Sequence, residues 1–117
     1  MPGTPFSATV RHEDGGVVID LIGDIDREAS EQLNAAYQQA AASDGSPRTV
    51  VLNFSKVDYI NSTGIAVIVS LLAKARAEGR NLRAWGLSSH YQEIFQITRL
   101  ADFMHIYESE PQALAVN

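Results

Sequence analysis

The sequence predicts an α/β domain with a mainly parallel central β-sheet, an N-terminal hairpin and about four helices. Two observations predict it. Short strand-like segments alternate with longer ones whose apolar residues recur every three or four positions, the order that builds parallel sheets through helical crossovers. Between the first two strand-like segments stand only residues 11–16, too few for a crossover, and Glu13-Asp14-Gly15-Gly16 among them is a turn signal. The 117 residues suit a single domain over 1–117, with Pro2, Gly3 and Pro5 making residues 1–5 a loose lead-in.

Each element has its own signal. Phe6 to Val10 alternates apolar Phe6, Ala8 and Val10 with Ser7 and Thr9, as a half-buried strand does, and Val17 to Ile22 follows as its hairpin partner. After Asp24-Ile25-Asp26, residues Ala29, Leu33, Ala36, Tyr37 and Ala40 share one helical face, with Asp26 placed to cap it. Ser43-Asp44-Gly45-Ser46-Pro47 ends that helix. Thr49 to Phe54 is β-branched and nearly all apolar, which suits a buried central strand.

From Ser62, the positions Ile65, Ile68, Val69, Leu72 and Ala75 form an apolar helical stripe that runs toward a stop at Gly79. Leu82 to Trp85 reads as a short strand, and Ser89 with Gln92 as a capping box for a helix through Ile97. His105 to Tyr107 reads as a last strand. Ser109, Gln112 and Pro111 mark a final helix. Trp85, Ile94, Phe95 and Phe103 are expected in the core.

Composition limits the function. Hydrophobic residues make up 45 % and charged residues 20 % of the chain, ordinary values for a globular protein. A chain of this size buries roughly two-thirds of its unfolded surface, enough for a core without metal or crosslinks. With no cysteine, disulfides, thiolate nucleophiles and Cys-based zinc sites are excluded. The net charge of −5 and scattered Lys and Arg argue against a nucleic-acid partner, which needs a positive stripe. MPGTPFSATV lacks the pattern of a signal peptide, and the longest apolar run, IAVIV, is far short of the ~20 residues that span a bilayer. A soluble, cytoplasmic protein with no membrane partner is expected.

The chemistry concentrates in Asn61-Ser62-Thr63-Gly64 at the start of the long helix. Two readings stand side by side. Ser, Thr and Asn are preferred helix caps, since a side-chain oxygen satisfies an orphan backbone N–H. A helix start also favours an anion, so a phosphate on Ser62 would leave the fold intact and change only the surface. Asp24, Asp26 and Asp58 would sharpen the negative patch. Other constellations are weaker. Ser62, Asp102 and His105 occur in a hydrolase order, but Ile60 stands where a nucleophile elbow needs glycine. Asp24 and Asp26 could hold magnesium with a phosphate, but solvated capping carboxylates are the better reading. His12, His90 and His105 share no metal-like spacing, and no phosphate-cradling GxxxxGK[ST] motif is present. No catalytic residue, metal or cofactor is expected.

The chain resembles the STAS domain, and within that family the bacterial anti-sigma-factor antagonists. The resemblance runs through Leu21-Ile22-Gly23-Asp24-Ile25-Asp26 and the strand ending at Phe54. It continues through Val57-Asp58-Tyr59-Ile60-Asn61-Ser62-Thr63-Gly64 and Gly79-Arg80-Asn81-Leu82. It implies phosphorylation of Ser62, with Thr63 as second choice, by an anti-sigma factor that is also an ATP-using serine kinase. A phosphatase acting on phospho-Ser62 would reset the cycle. It also implies a partner-binding surface at Asp24, Asp26, Asp58, Tyr59, Asn61, Ser62, Thr63 and Gly64, on a monomer or weak homodimer. The family usually has Asp before the phosphorylated Ser. Asn61 keeps the shape and capping ability but not the charge. The alternatives are a STAS scaffold or sensor module with no sigma factor at its end, and, from another class, a small enzyme or nucleotide-binding protein.

Overall fold

In the computed structural model, residues 4–43, 45 and 47–115 are described. Five strands lie in one sheet in sequence order: β1 (Ser7–Glu13), β2 (Gly16–Ile22), β3 (Thr49–Lys56), β4 (Asn81–Trp85) and β5 (Ile106–Tyr107). β1 is antiparallel to β2, with Glu13 opposite Gly16 across an Asp14-Gly15 turn, and the other neighbours are parallel. The helices are α1 (Ala29–Ala41), α2 (Ser62–Ala77), α3 (Ser89–Ile97) and α4 (Glu110–Leu114). The expected fold class is the observed one.

The period-two pattern decides which helix covers which face. Val17, Ile19 and Leu21 of β2, Val50, Leu52 and Phe54 of β3, and Leu82 and Ala84 of β4 join the main core with α1, α2 and α3. On the reverse face, Val18 and Val51 pack with Ala113 of α4, flanked by Trp85, Tyr107 and Leu114. Continuous burial of Val50, Val51 and Leu52 follows from this double cover. Arg11 fastens α4 to the hairpin, donating to Asp20 (Nε to Oδ2, 2.5 Å) and Glu110 (Nη2 to Oε1, 2.5 Å). The Arg11 guanidinium holds the Asp20 carboxyl below the usual carboxylate range, with Asn53 adding a second donor.

Several local expectations are corrected. The first strand runs to Glu13 and the third to Lys56, each beyond the apolar pattern because ladder pairing continues through polar residues. Asp26 does not cap α1. Its Oδ1 accepts from the Glu28 N–H (2.9 Å) in the turn before the helix, and the Glu28 side chain at the N-cap makes no capping bond among the described residues. The α3 cap is Ser88, one residue earlier than expected, accepting from the Tyr91 N–H, while Gln92 donates to the Leu87 carbonyl. Val69 is 46 % exposed because the apolar stripe of α2 is wider than the groove it fills, and Phe103 is 54 % exposed on a surface turn. Gly79, at φ 74°, ends α2 as expected, with the Arg80 N–H donating to the Ala75 carbonyl (2.9 Å). Pro2, Gly3, Asp44 and Ser46, which carry the lead-in and part of the loop after α1, lie outside the described residues.

Candidate functional site

The carboxyl ends of β2, β3 and β4 face one rim, where three loops converge. The loop after β3 is stitched to the loop after β2 by backbone bonds. The Ile25 N–H donates to the Tyr59 carbonyl (2.9 Å), and the Asn61 N–H donates to the Ile25 carbonyl (3.2 Å). Ile25 and Ile60 thereby form an isolated parallel bridge and are both buried. From α3, which follows the third loop, the Tyr91 hydroxyl accepts from the buried Ile60 N–H at 2.8 Å. These bonds fix where α2 begins.

The start of α2 separates two roles that the sequence left together. Asn61 is the N-cap: its backbone is extended and its Oδ1 accepts from the Gly64 N–H at 2.8 Å. The same oxygen accepts from the Thr63 hydroxyl at 2.8 Å. Ser62 is the first helical residue and is exposed. Among the described residues, no hydrogen bond involves its hydroxyl. That oxygen lies where free helical N–H groups give a positive electrostatic end.

Gly64 is needed by contact. A Cβ there would stand 2.0 Å from the Ile25 carbonyl oxygen and 3.1 Å from Ile60 Cγ2. The first turn of α2 therefore rests directly on the Ile25 backbone. Gly64 is buried, and Asp24 is only 8 % exposed, with its N–H donating to the Thr4 carbonyl (3.1 Å). Neither offers the open surface that Asp58, Ser62 and Thr63 do. Tyr59 is 37 % exposed, and Asp26 and Asn61 are half-buried.

The remaining candidates do not converge. Asp102 Oδ2 accepts from Arg99 Nε (2.6 Å), and the His105 ring stacks on Tyr107, so the Ser62-Asp102-His105 order does not become a paired triad. Among the described residues, no group of three or more His, Asp or Glu could hold a metal ion together. No helix among them is long and apolar enough to cross a membrane. Sequence reasoning missed Tyr91. Its only signal is one polar-tipped aromatic on the buried face of an otherwise aliphatic and Phe-lined helix.

Fold and rim together define a small α/β domain of the kind that presents a capped helix start on a rigid sheet. The family model for the STAS domain (described as Mlab, STAS domain) matches residues 8–107. The chain belongs to the STAS domain family. It is similar to BtrV of Bordetella bronchiseptica, named there as a proposed anti-sigma factor antagonist, with 30 % identity over 102 residues covering 87 % of this chain and 86 % of the relative. The fold is similar to a crystal structure of an anti-sigma factor antagonist from Mycobacterium paratuberculosis (TM-score 0.78, 22 % identity, 94 % of this chain and 92 % of that one). It is also similar to the Bacillus cell fate determinant SpoIIAA in its phosphorylated form (TM-score 0.66, 23 % identity, 92 % and 96 % covered).

Proposed function

We propose that this chain is an anti-sigma factor antagonist whose partner binding is switched by phosphorylation at Ser62. The observation that carries the reading is the division of labour at α2: Asn61 caps the helix, which leaves the Ser62 hydroxyl exposed and, among the described residues, without a hydrogen bond. The names of the relatives point to the same kind of partner. The partner is an anti-sigma factor with serine-kinase activity, which moves the γ-phosphoryl group of ATP onto Ser62 Oγ and releases ADP. The unphosphorylated form holds that partner; a phosphatase removes the group from phospho-Ser62.

The phosphate adds about −1.5 to −2 charge at pH 7, next to a helix end worth roughly +0.5. The fold tolerates the change, while a docked partner meets new charge and bulk. Thr63 is the poorer acceptor, because its hydroxyl is already bonded to the cap. Asp26, Asp58, Tyr59 and Asn61 frame the docking surface, and Asp24 and Gly64 support it from behind. The protein works in the cytoplasm as a monomer or weak homodimer, needs no cofactor, and catalyses no reaction itself.

Incubation with the cognate kinase and ATP should add about 80 Da to the peptide containing Ser62, and Ser62→Ala should abolish the gain. Label confined to another residue, or retained in Ser62→Ala, would reject the assignment.

A further inference from the structure

The two edges of the sheet are built differently. The β5 edge is two residues long, and so short an edge strand resists further pairing. The β1 edge is seven residues long, SATVRHE, with no Pro or Lys and no break in its register with β2. Those are the devices that normally blunt an edge. Its one arginine does not guard it either, because the Arg11 guanidinium is turned onto Asp20 and Glu110.

The register fixes which backbone groups face outward. Glu13 and Gly16 close the two-residue turn as a hydrogen-bonded pair, so Arg11, Thr9 and Ser7 also bond to β2. The N–H and C=O of Ala8, Val10 and His12 therefore point away from β2. Among the described residues, no backbone or side-chain group bonds to them. The edge is accessible: Ser7, Thr9 and His12 are exposed, and Ala8 and Val10 are half-buried. Ala8 and Val10 pack against the main core, which lacks an outer cover along this edge.

We propose that β1 pairs with β1 of a second copy of this chain, antiparallel about a two-fold axis at Val10, so that two sheets join into one. The occupant follows from the strand's complementarity to itself. In that register Val10 faces the other copy's Val10 and Ala8 faces its His12, so every outward N–H and C=O finds a partner. On the core side, valine meets valine where each core lacks cover. On the reverse face Ser7 stands opposite Glu13 and Thr9 opposite Arg11, and no like charges oppose each other. Moving the axis one residue toward the turn would set Arg11 against Arg11, which disfavours that alternative. β1 lies two strands from β3, whose end leads to Ser62, so this contact stands apart from the phosphorylation reading and either can fail alone.

Sedimentation equilibrium from about 10 μM to about 1 mM should show a monomer–dimer equilibrium. Amide exchange followed by NMR should slow at Ala8, Val10 and His12 as concentration rises, while Thr9 and Arg11, already bonded to β2, stay unchanged. Ser7→Glu sets a carboxylate against the other copy's Glu13, and Ser7→Lys sets a cation there. Their dissociation constants should differ by at least roughly fivefold, with Ser7→Lys the tighter. Ser7 is exposed and stands opposite Ile22 on β2, so neither change threatens the fold. Val10→Pro deletes the central outward N–H and should leave a monomer. A monomer across the whole range, or a dimer whose Ala8, Val10 and His12 amides exchange as fast as in the monomer, would overturn the proposal. So would equal constants for the two Ser7 variants, or a Val10→Pro protein that dimerises like wild type.

Discussion

Gly64→Ala sets two effects against each other, and their sizes decide the outcome. In an exposed helix the change would stabilise by about 1 kcal/mol through helix propensity. Here the new Cβ would stand 2.0 Å from the Ile25 carbonyl oxygen and 2.7 Å from its carbon. That peptide cannot turn away, because Ile25 donates to Tyr59 and accepts from Asn61. Relief requires the first turn of α2 to lift off. Overpacking of this kind costs about 1–3 kcal/mol, and losing the Ile25–Asn61 bond adds about 1. Set against the propensity gain, the net is a loss of about 1–3 kcal/mol. Urea unfolding followed by circular dichroism measures it, and Ser62 phosphorylation should slow in parallel as the hydroxyl moves. A variant as stable as wild type, or about 1 kcal/mol more stable, would refute the close approach of α2 to Ile25.

Three further perturbations follow from the same geometry. Asn61→Ala removes the oxygen serving both Gly64 and Thr63 and should cost about 1 kcal/mol in denaturant unfolding; Asn61→Asp should keep that stability. Tyr91→Phe strands the buried Ile60 N–H and should cost about 1–3 kcal/mol, with faster hydrogen exchange confined to residues 57–61. The Asp20 carboxyl is held low by Arg11, so its stabilisation is present above the unfolded value of about 3.9 and lost as pH falls through the lower folded value. Asp20→Asn should therefore flatten the loss of stability below about pH 4 in an acid titration.

Elements whose apolar spacing matches the periods of helix and strand were legible from sequence. Ala29 to Ala40 on α1, Val17 to Leu21 on β2 and the αL stop at Gly79 are all where the pattern places them. What escaped depends on tertiary context. Ser88 takes the α3 cap from Ser89 because adjacent serines are chemically equivalent, and only the chain's entry angle chooses between them. Phe103 is as apolar as Phe95, yet the turn before β5 leaves it on the surface. At the site, Asn61-Ser62-Thr63-Gly64 announced a helix start, but not which residue would spend its side chain on the cap. Tyr91 is joined to Ile60 only by the fold, across 31 residues of chain.

The decisive measurement compares the purified protein before and after stoichiometric modification by its kinase, reading partner affinity by calorimetry and thermal midpoint on the same samples. A drop in affinity of at least roughly tenfold, with the midpoint shifted by no more than about 2 °C, is the predicted outcome. Undiminished affinity, or a modified protein that has lost its folded structure, would contradict it.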